Sequence, residues 1–149
     1  MSDPLYKKEL LRLAADAHGA GRLPGANASG HAHNPVCGDR VVVDLVLENG
    51  RVADVRQEAK ACVLTQASAS ILGKSLKGMS RADIEALQGA VGAMLQAGGP
   101  TPGEPFADYA AFDAALAYPG RHICVLLPIQ AALAAFEASE AQEPEPVRR

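Results

Sequence analysis

The chain has 149 residues, 48% of them hydrophobic, which is enough to bury the core of one domain without disulfide staples. A net charge of −3 and an aromatic content of 4%, with no tryptophan, argue against a nucleic-acid partner, which needs a basic face or base-stacking rings. The sequence shows neither a signal segment nor a run of about 18 apolar residues, so we expect a cytoplasmic protein that meets no membrane.

The first part of the chain predicts a helix followed by a loop. Asp3 and Pro4 form a typical helix start, and apolar residues then recur at helical spacing, at Tyr6, Leu10, Leu13, Ala14 and Ala17. Residues 18–36 are rich in Gly, Ala, Asn, His and Pro without any periodicity, which predicts a long mobile loop.

A strand hairpin is predicted next. Apolar residues alternate over 40–48, as they do in a half-buried strand. Asn49 and Gly50 favour a tight turn because both tolerate positive φ, and residues 51–59 then form the return strand.

Two helices follow the hairpin. The first runs from Cys62 to near Gly73, and its inward residues are Leu64, Ala67, Ser68, Ile71 and Leu72. Ser80 and Asp83 have the spacing of a capping box for the second. The buried stripe of that second helix comprises Ile84, Leu87, Val91, Met94 and Leu95.

The C-terminal part predicts a short helix over 108–118 and a last helix after Cys124. Pro128 falls in the first turn of that helix, where its missing N–H has no partner to lose. Residues 139–149 form a polar tail that we expect to be disordered, so the domain spans residues 1–138. The pattern indicates an α+β fold, with an antiparallel hairpin or small sheet and helices on one side.

Three cysteines and one aspartate suggest metal or sulfur chemistry. Cys37, Cys62 and Cys124 come from separate segments, and with Asp39 they would make a four-ligand cage for zinc or iron. The odd cysteine count argues against a disulfide framework. Cys62 and Cys124 are predicted at helix N-termini, which stabilise thiolates. A carboxylate is a weaker partner than a fourth thiolate for a soft metal, which suits a site that gives up its cargo.

Three segments carry a family resemblance. Residues 34–40 (Asn-Pro-Val-Cys-Gly-Asp-Arg), 62–70 and 119–124 resemble the signature segments of the NifU-like iron–sulfur scaffold family, which includes the IscU and SufU branches. The resemblance implies a three-stranded antiparallel sheet packed by helices. It also implies that the cysteines and Asp39 bind zinc, expected in the isolated protein, or a transient [2Fe-2S] cluster.

Within the family, the chain most resembles the SufU branch. The long stretch between Cys62 and Cys124 is similar to an insertion in that branch, and Arg121 matches an arginine common before its third cysteine. Ile123 stands where IscU proteins have His and SufU proteins have Lys, with His122 one position earlier.

The resemblance implies an iron–sulfur assembly protein that accepts sulfur from a cysteine desulfurase of the SufS or IscS kind. It would build a labile [2Fe-2S] cluster or relay the sulfur, serving downstream apoproteins or cluster carriers, as a scaffold more than as a conventional enzyme. We expect Cys37, at the end of the mobile loop, to accept the persulfide, with Cys124 as the second choice. Alternatives are a zinc-bound sulfurtransferase-type activator of the desulfurase, a structural zinc protein and a zinc hydrolase.

Other polar residues have both a functional and a plain interpretation. His31 and His33 could lend a ligand, although solvated histidines are the more common case. Serines 68 and 70 are better explained by close helix packing than by catalysis. Lysines 74 and 77 and Arg81 could form a docking patch, and a solvated surface is the default.

Overall fold

In a computed structural model that describes residues 7–36 and 38–142, one antiparallel sheet packs against helices. Two 3₁₀ segments, Ala107–Ala117 and Pro119–Arg121, precede the last helix. The other elements are, in chain order, α1 (Lys8–Asp16), β1 (Ala28–His33), β2 (Arg40–Glu48), β3 (Arg51–Lys60), α2 (Val63–Ser75), α3 (Arg81–Ala97) and α4 (His122–Gln142).

The sheet has the order β1-β2-β3, and both strand pairs are antiparallel. The predicted hairpin is confirmed, with β3 reaching one residue further than expected. Its turn uses Asn49 and Gly50 at φ values of 54° and 76°, the left-handed conformation that this sequence favours. Val41, Val43 and Leu45 point into the core, where α2 and α4 pack on the sheet.

The predicted long loop over residues 18–36 is wrong in its second half, because residues 28–33 form β1. Gly30 explains why no alternation of large apolar residues marks this strand. A methyl group added at Gly30 would lie 2.2 Å from the Ala135 amide nitrogen and 2.4 Å from the Ala131 carbonyl oxygen of α4. The backbone of α4 lies directly on β1, so the core-facing positions of the strand must be small.

The first half of the same segment covers the outer edge of β3. The Gln57 N–H donates to the Gly19 carbonyl oxygen at 2.7 Å, and the Gly21 N–H donates to the Gln57 carbonyl oxygen at 2.9 Å. Ala20 thereby pairs with Gln57 in a parallel bridge. On the sheet face opposite Val43 and Leu45, Arg22 forms two hydrogen bonds with the buried Asp44 carboxylate.

The helices largely follow the apolar pattern. The Ser80–Asp83 capping box is present, and all five residues of the predicted α3 stripe are buried. Leu10 and Leu13 of α1 are buried, whereas the predicted helix start at residues 3 and 4 lies outside the described residues. The predicted helix over 108–118 is a 3₁₀ helix, Ala107–Ala117.

The helix α4 begins earlier than predicted, and Pro128 lies inside it rather than in the first turn. A proline at this position removes the N–H that would bond to the Cys124 carbonyl, four residues before it. The Thr65 hydroxyl of α2 donates to that carbonyl at 2.9 Å instead. The helix therefore tolerates Pro128 because a neighbouring helix satisfies the freed carbonyl.

The C-terminal end of α4 also extends past the predicted domain boundary at residue 138. The guanidinium of Arg81, on α3, forms ion pairs with Glu137 at 3.4 Å and with Glu140. These contacts join the last turns of α4 to α3, and residues 139–142 are helical instead of disordered. The remainder of the predicted tail, residues 143–149, lies outside the described residues.

Among the described residues, one helical stretch, Pro119–Glu140, is long and apolar enough by length and composition to cross a bilayer, although no such segment was predicted. It comprises the second 3₁₀ segment and most of α4. In its most apolar window, 56% is buried inside the fold. This helix packs on β1, β2, α2 and α3. Burial in the protein core accounts for its apolar character.

We predict that Gly30→Ala destabilises the protein by about 1–3 kcal/mol, because the added methyl group collides with the backbone of α4. Gly89→Ala is the matched control. Gly89 is an exposed residue of α3 with nothing within 4 Å of an added methyl group. The Gly89→Ala variant should be more stable than the wild-type protein, by up to about 1 kcal/mol, because alanine has a higher helix propensity than glycine. Urea unfolding of both variants measures this, and equal stabilities would contradict the described packing of α4 on β1.

Candidate metal centre

The strand register brings Asp39 next to Cys62. Asp39 directly precedes β2, and the first residue of β2, Arg40, pairs with Lys60 at the end of β3. The chain then passes through Ala61 to Cys62, the N-cap residue of α2. Two residues that are distant in sequence are thus neighbours at one end of the sheet.

Cys124 completes a triad with these two residues. Each of Asp39, Cys62 and Cys124 offers one ligand atom, and the three atoms lie within 4.8 Å of one another. Ligand atoms around one tetrahedral zinc ion are roughly 3.3–3.8 Å apart, so small side-chain adjustments suffice to hold an ion. Asp39 and Cys124 are buried, whereas Cys62 is half-buried and gives the triad its accessible side.

Asp39 is held by the first turn of α2. Its Oδ1 accepts a hydrogen bond from the Cys62 N–H and its Oδ2 accepts one from the Thr65 hydroxyl, both at 3.3 Å. The Cys62 side chain itself makes no capping hydrogen bond. The carboxylate therefore acts as a helix cap supplied from another segment, at an end where the helix dipole favours negative charge.

Cys37 itself lies outside the described residues, but its neighbours form a tight turn between β1 and β2. The Asn34 carbonyl accepts the Gly38 N–H at 2.8 Å, and the Asn34 side chain accepts the Val36 N–H at 3.0 Å. Gly38 has a φ of +79°, the left-handed conformation for which glycine is suited. Val36 is 93% exposed. The residues on either side of Cys37 thus belong to a short hairpin turn between β1 and β2. The predicted position of Cys37 at the end of a long loop is wrong in this respect.

The electrostatics of Cys124 differ from the sequence-based expectation. Burial raises the pKa of the Cys124 thiol to about 11, while a hydrogen bond with the Arg121 side chain opposes the shift and the nearby Cys62 adds to it. The expected stabilisation of a thiolate by a helix N-terminus is therefore outweighed at Cys124, which lies within the first turn of α4. Without an ion this thiol is protonated at neutral pH, so a metal must displace its proton on binding.

Thr65 is the functional candidate that sequence reasoning missed. Its hydroxyl lies 2.9 Å from the Cys124 carbonyl oxygen, 3.3 Å from Asp39 Oδ2 and 3.5 Å from Cys62 Sγ. It is fully buried. The available signal was its position three residues after Cys62, which places both side chains on one face of a helix.

The candidate histidines have other surroundings. His31 and His33 are exposed on β1. His122 is buried, and its Nε2 lies 2.8 Å from the Ala115 carbonyl oxygen. No histidine of the described residues belongs to the group that could hold an ion.

The serines of α2 serve helix packing, as predicted. Ser68 donates to the Val125 carbonyl of α4 at 2.7 Å and pairs with the Tyr109 hydroxyl. Ser70 accepts a hydrogen bond from the His18 N–H at 3.0 Å.

The basic residues considered as a docking patch each have an acidic neighbour. Lys74 pairs with Asp108 at 3.0 Å and Lys77 with Asp54 at 3.7 Å. Arg81 is the residue that holds α4. These side chains form a mixed-charge surface instead of a cationic patch.

Comparison with known proteins agrees with this geometry. Residues 5–125 match the NifU-like N-terminal domain. The chain belongs to the NifU-like N-terminal domain family. The resemblance predicted from the three cysteine segments is therefore confirmed.

Two curated relatives of this NifU-like chain match it over shorter stretches. The iron–sulfur cluster assembly scaffold protein IscU of Thermotoga maritima is 34% identical over 68 residues, which are 46% of this chain and 48% of that protein. The zinc-dependent sulfurtransferase SufU of Bacillus subtilis is 37% identical over 46 residues, 31% of each protein. The match therefore spans about half of the first relative and a third of the second.

Solved structures match over nearly the whole NifU-like chain. The N-terminal part of a nitrogen-fixing NifU-like protein from Brucella abortus has a TM-score of 0.88 at 32% identity, covering 94% of this chain and 97% of that one. A proposed SUF-system iron–sulfur scaffold protein from Fervidobacterium islandicum has a TM-score of 0.80 at 21% identity, covering 91% and 98%. The predicted α+β fold with a three-stranded antiparallel sheet is confirmed.

Proposed function

We propose that this chain is an iron–sulfur cluster assembly protein that accepts sulfur from a cysteine desulfurase in the cytoplasm. The observation that carries the proposal is the convergence of Asp39, Cys62 and Cys124 within 4.8 Å from three separate segments. Two thiols and a carboxylate suit zinc and iron alike. Membership of the NifU-like family and the roles of the IscU and SufU relatives support the same assignment.

In the isolated protein we expect Asp39, Cys62 and Cys124 to hold Zn²⁺, with Cys37 as the fourth ligand. Gly38 links Asp39 to Cys37 in the sequence, and the tight turn around it lies at the same end of the sheet as the triad. A bound zinc ion would keep the cysteine sulfurs deprotonated at neutral pH. The protein contributes a buried carboxylate and two thiols fixed to α2 and α4.

Sulfur is proposed to arrive on Cys37. The Cys37 thiolate attacks the terminal sulfur of the desulfurase persulfide, and a new S–S bond forms on Cys37. The S–S bond in the desulfurase breaks, and its cysteine leaves as a thiolate, so no external oxidant or reductant is needed. Cys124 is less suited because it is 4% exposed within a core helix, whereas Val36 beside Cys37 is 93% exposed.

The chain would then assemble the sulfur with iron into a transient [2Fe-2S] cluster, or relay it, for apoproteins and cluster carriers. The cluster is cargo, and the hard Asp39 oxygen is the weakest donor to iron in the set. A structural zinc site is usually sealed by Cys and His alone, so the carboxylate and the half-buried Cys62 favour a transfer role.

A zinc-dependent sulfur relay without cluster building is the second candidate. It is favoured by the similarity to the SufU protein and by the long segment between Cys62 and Cys124. The two candidates share the first step and differ in the second. Anaerobic reconstitution with iron, cysteine and a desulfurase separates them, because only the scaffold develops the visible absorption of a [2Fe-2S] cluster.

We predict about one tightly bound Zn²⁺ per chain in aerobically purified protein. Serine at position 37, 62 or 124 should sharply reduce the zinc content, because a serine hydroxyl stays protonated and is a poor ligand for a soft metal. Elemental analysis measures this, and His31→Ala, at an exposed residue of β1, is the control that should keep its zinc. Stoichiometric zinc in the triple serine variant would exclude this site.

Asp39 should control cargo release. We predict that Asp39→Ala gives a reconstituted cluster that persists longer and transfers more slowly to an acceptor apoprotein. Because Asp39 also caps α2, Asp39→Asn is the matched variant: its amide oxygen can still accept the Cys62 N–H while the charge is gone. Transfer followed by absorbance should be slow in both variants. Wild-type kinetics in both would show that the carboxylate does not govern release.

The acceptor of sulfur can be identified directly. After a brief incubation of the zinc-loaded protein with a cysteine desulfurase and cysteine, we predict that the added sulfur is found first on the peptide containing Cys37. Alkylation followed by peptide mass spectrometry detects it, with desulfurase-free incubation as the control. Early label on Cys124 with none on Cys37 would overturn the assignment.

A further inference from the structure

We propose that Thr65 is a positioning residue of the metal centre and that Pro128 directs its hydroxyl. The inference rests on the proposed function, because it concerns how the triad is prepared for an ion. The Thr65 hydroxyl contacts all three residues of the triad: a carboxylate oxygen of Asp39, the sulfur of Cys62 and the backbone carbonyl of Cys124. Through this one oxygen atom, α2 contacts both α4 and the residue that directly precedes β2.

Pro128 supplies the anchor for this hydroxyl. In an uninterrupted helix the Cys124 carbonyl would accept the N–H of residue 128, and proline has none. The freed carbonyl is buried with Cys124 in the core, where an unsatisfied oxygen is unfavourable. The 2.9 Å bond from Thr65 is the shortest of the three contacts of its hydroxyl. It fixes the hydroxyl against the backbone of Cys124.

The hydroxyl has a single proton, and this limits how its partners can be arranged. With the proton shared between the Cys124 carbonyl and Asp39, the same oxygen still lies 3.5 Å from Cys62 Sγ, a contact in which either atom could be the donor. The hydroxyl thus orients the carboxylate and the thiol toward one another before any ion arrives. Groups that orient metal ligands in this way typically change metal affinity roughly 10- to 100-fold when they are removed.

The decisive variant is Thr65→Val, which keeps the shape of the side chain and removes the hydroxyl. We expect zinc affinity, measured by competition with a chromophoric chelator, to fall roughly 10- to 100-fold. The absorption spectrum of the Co²⁺-substituted protein should shift as the ligand geometry relaxes. Thr65→Ser restores the hydroxyl and should recover affinity and spectrum to within a few-fold of wild type.

A double variant separates positioning from stability. Thr65→Val leaves the Cys124 carbonyl without a partner, and adding Pro128→Ala gives that carbonyl a helical N–H again. The double variant should regain thermal stability while its zinc affinity stays low, because Asp39 and Cys62 still lack the hydroxyl. Ser68→Ala is the matched control: it removes a buried hydroxyl bond from α2 to the next carbonyl of α4, and it should leave zinc affinity unchanged.

Wild-type zinc affinity in Thr65→Val, or its recovery in the double variant, would overturn the inference, since the hydroxyl would then serve only the carbonyl. A similar loss in Ser68→Ala would do the same. These results leave the proposed function intact, because zinc would still bind at the triad. If the wild-type protein binds no zinc, this inference fails; the proposed function fails with it only if anaerobic reconstitution also gives no cluster and no sulfur is accepted from a desulfurase.

Discussion

The Asp39 carboxylate lies where the β2–β3 ladder meets the first turn of α2, and it accepts the Cys62 N–H at 3.3 Å. This contact depends on the strand register, because a slip of one residue would turn Asp39 to the opposite face of the sheet. It also completes the N-terminus of α2, whose N-cap cysteine makes no side-chain cap. The same carboxylate thus both caps α2 and is a candidate metal ligand.

Small residues set how closely the helices around the metal centre pack. Because β1 has a glycine where α4 crosses it, this helix, which also bears the 4% exposed Cys124, approaches the sheet closely. A second close approach, between Gly73 of α2 and the His18 carbonyl, fixes α2 against the end of α1. A methyl group at Gly73 would lie 1.9 Å from that oxygen. The two helices that bear Cys62 and Cys124 are therefore positioned by small residues distant from the metal centre.

Sequence patterns predicted the elements whose signals are local. The Asn49-Gly50 turn, the Ser80–Asp83 capping box and the apolar stripe of α3 depend on neighbouring residues, so their residue types identify them. The strand β1 has no such signal, because its core-facing glycine is required by a helix a hundred residues away in the chain. Pro128 was misplaced because its tolerance depends on a hydroxyl donated by another helix. The cysteines and Asp39 were grouped by their ligand chemistry and by the family resemblance, whereas the contacts of Thr65 become visible only when α2 and α4 are side by side.

The segment around Ala20 that pairs with Gln57 has a consequence for association. An uncovered outer strand offers a row of N–H and C=O groups to any extended peptide, and such edges promote fibril growth. Here both main-chain groups of Gln57 are already bonded, to Gly19 and Gly21. An incoming chain would have to displace this segment before adding a strand at that position. The middle of β3 is thereby protected against intermolecular strand addition.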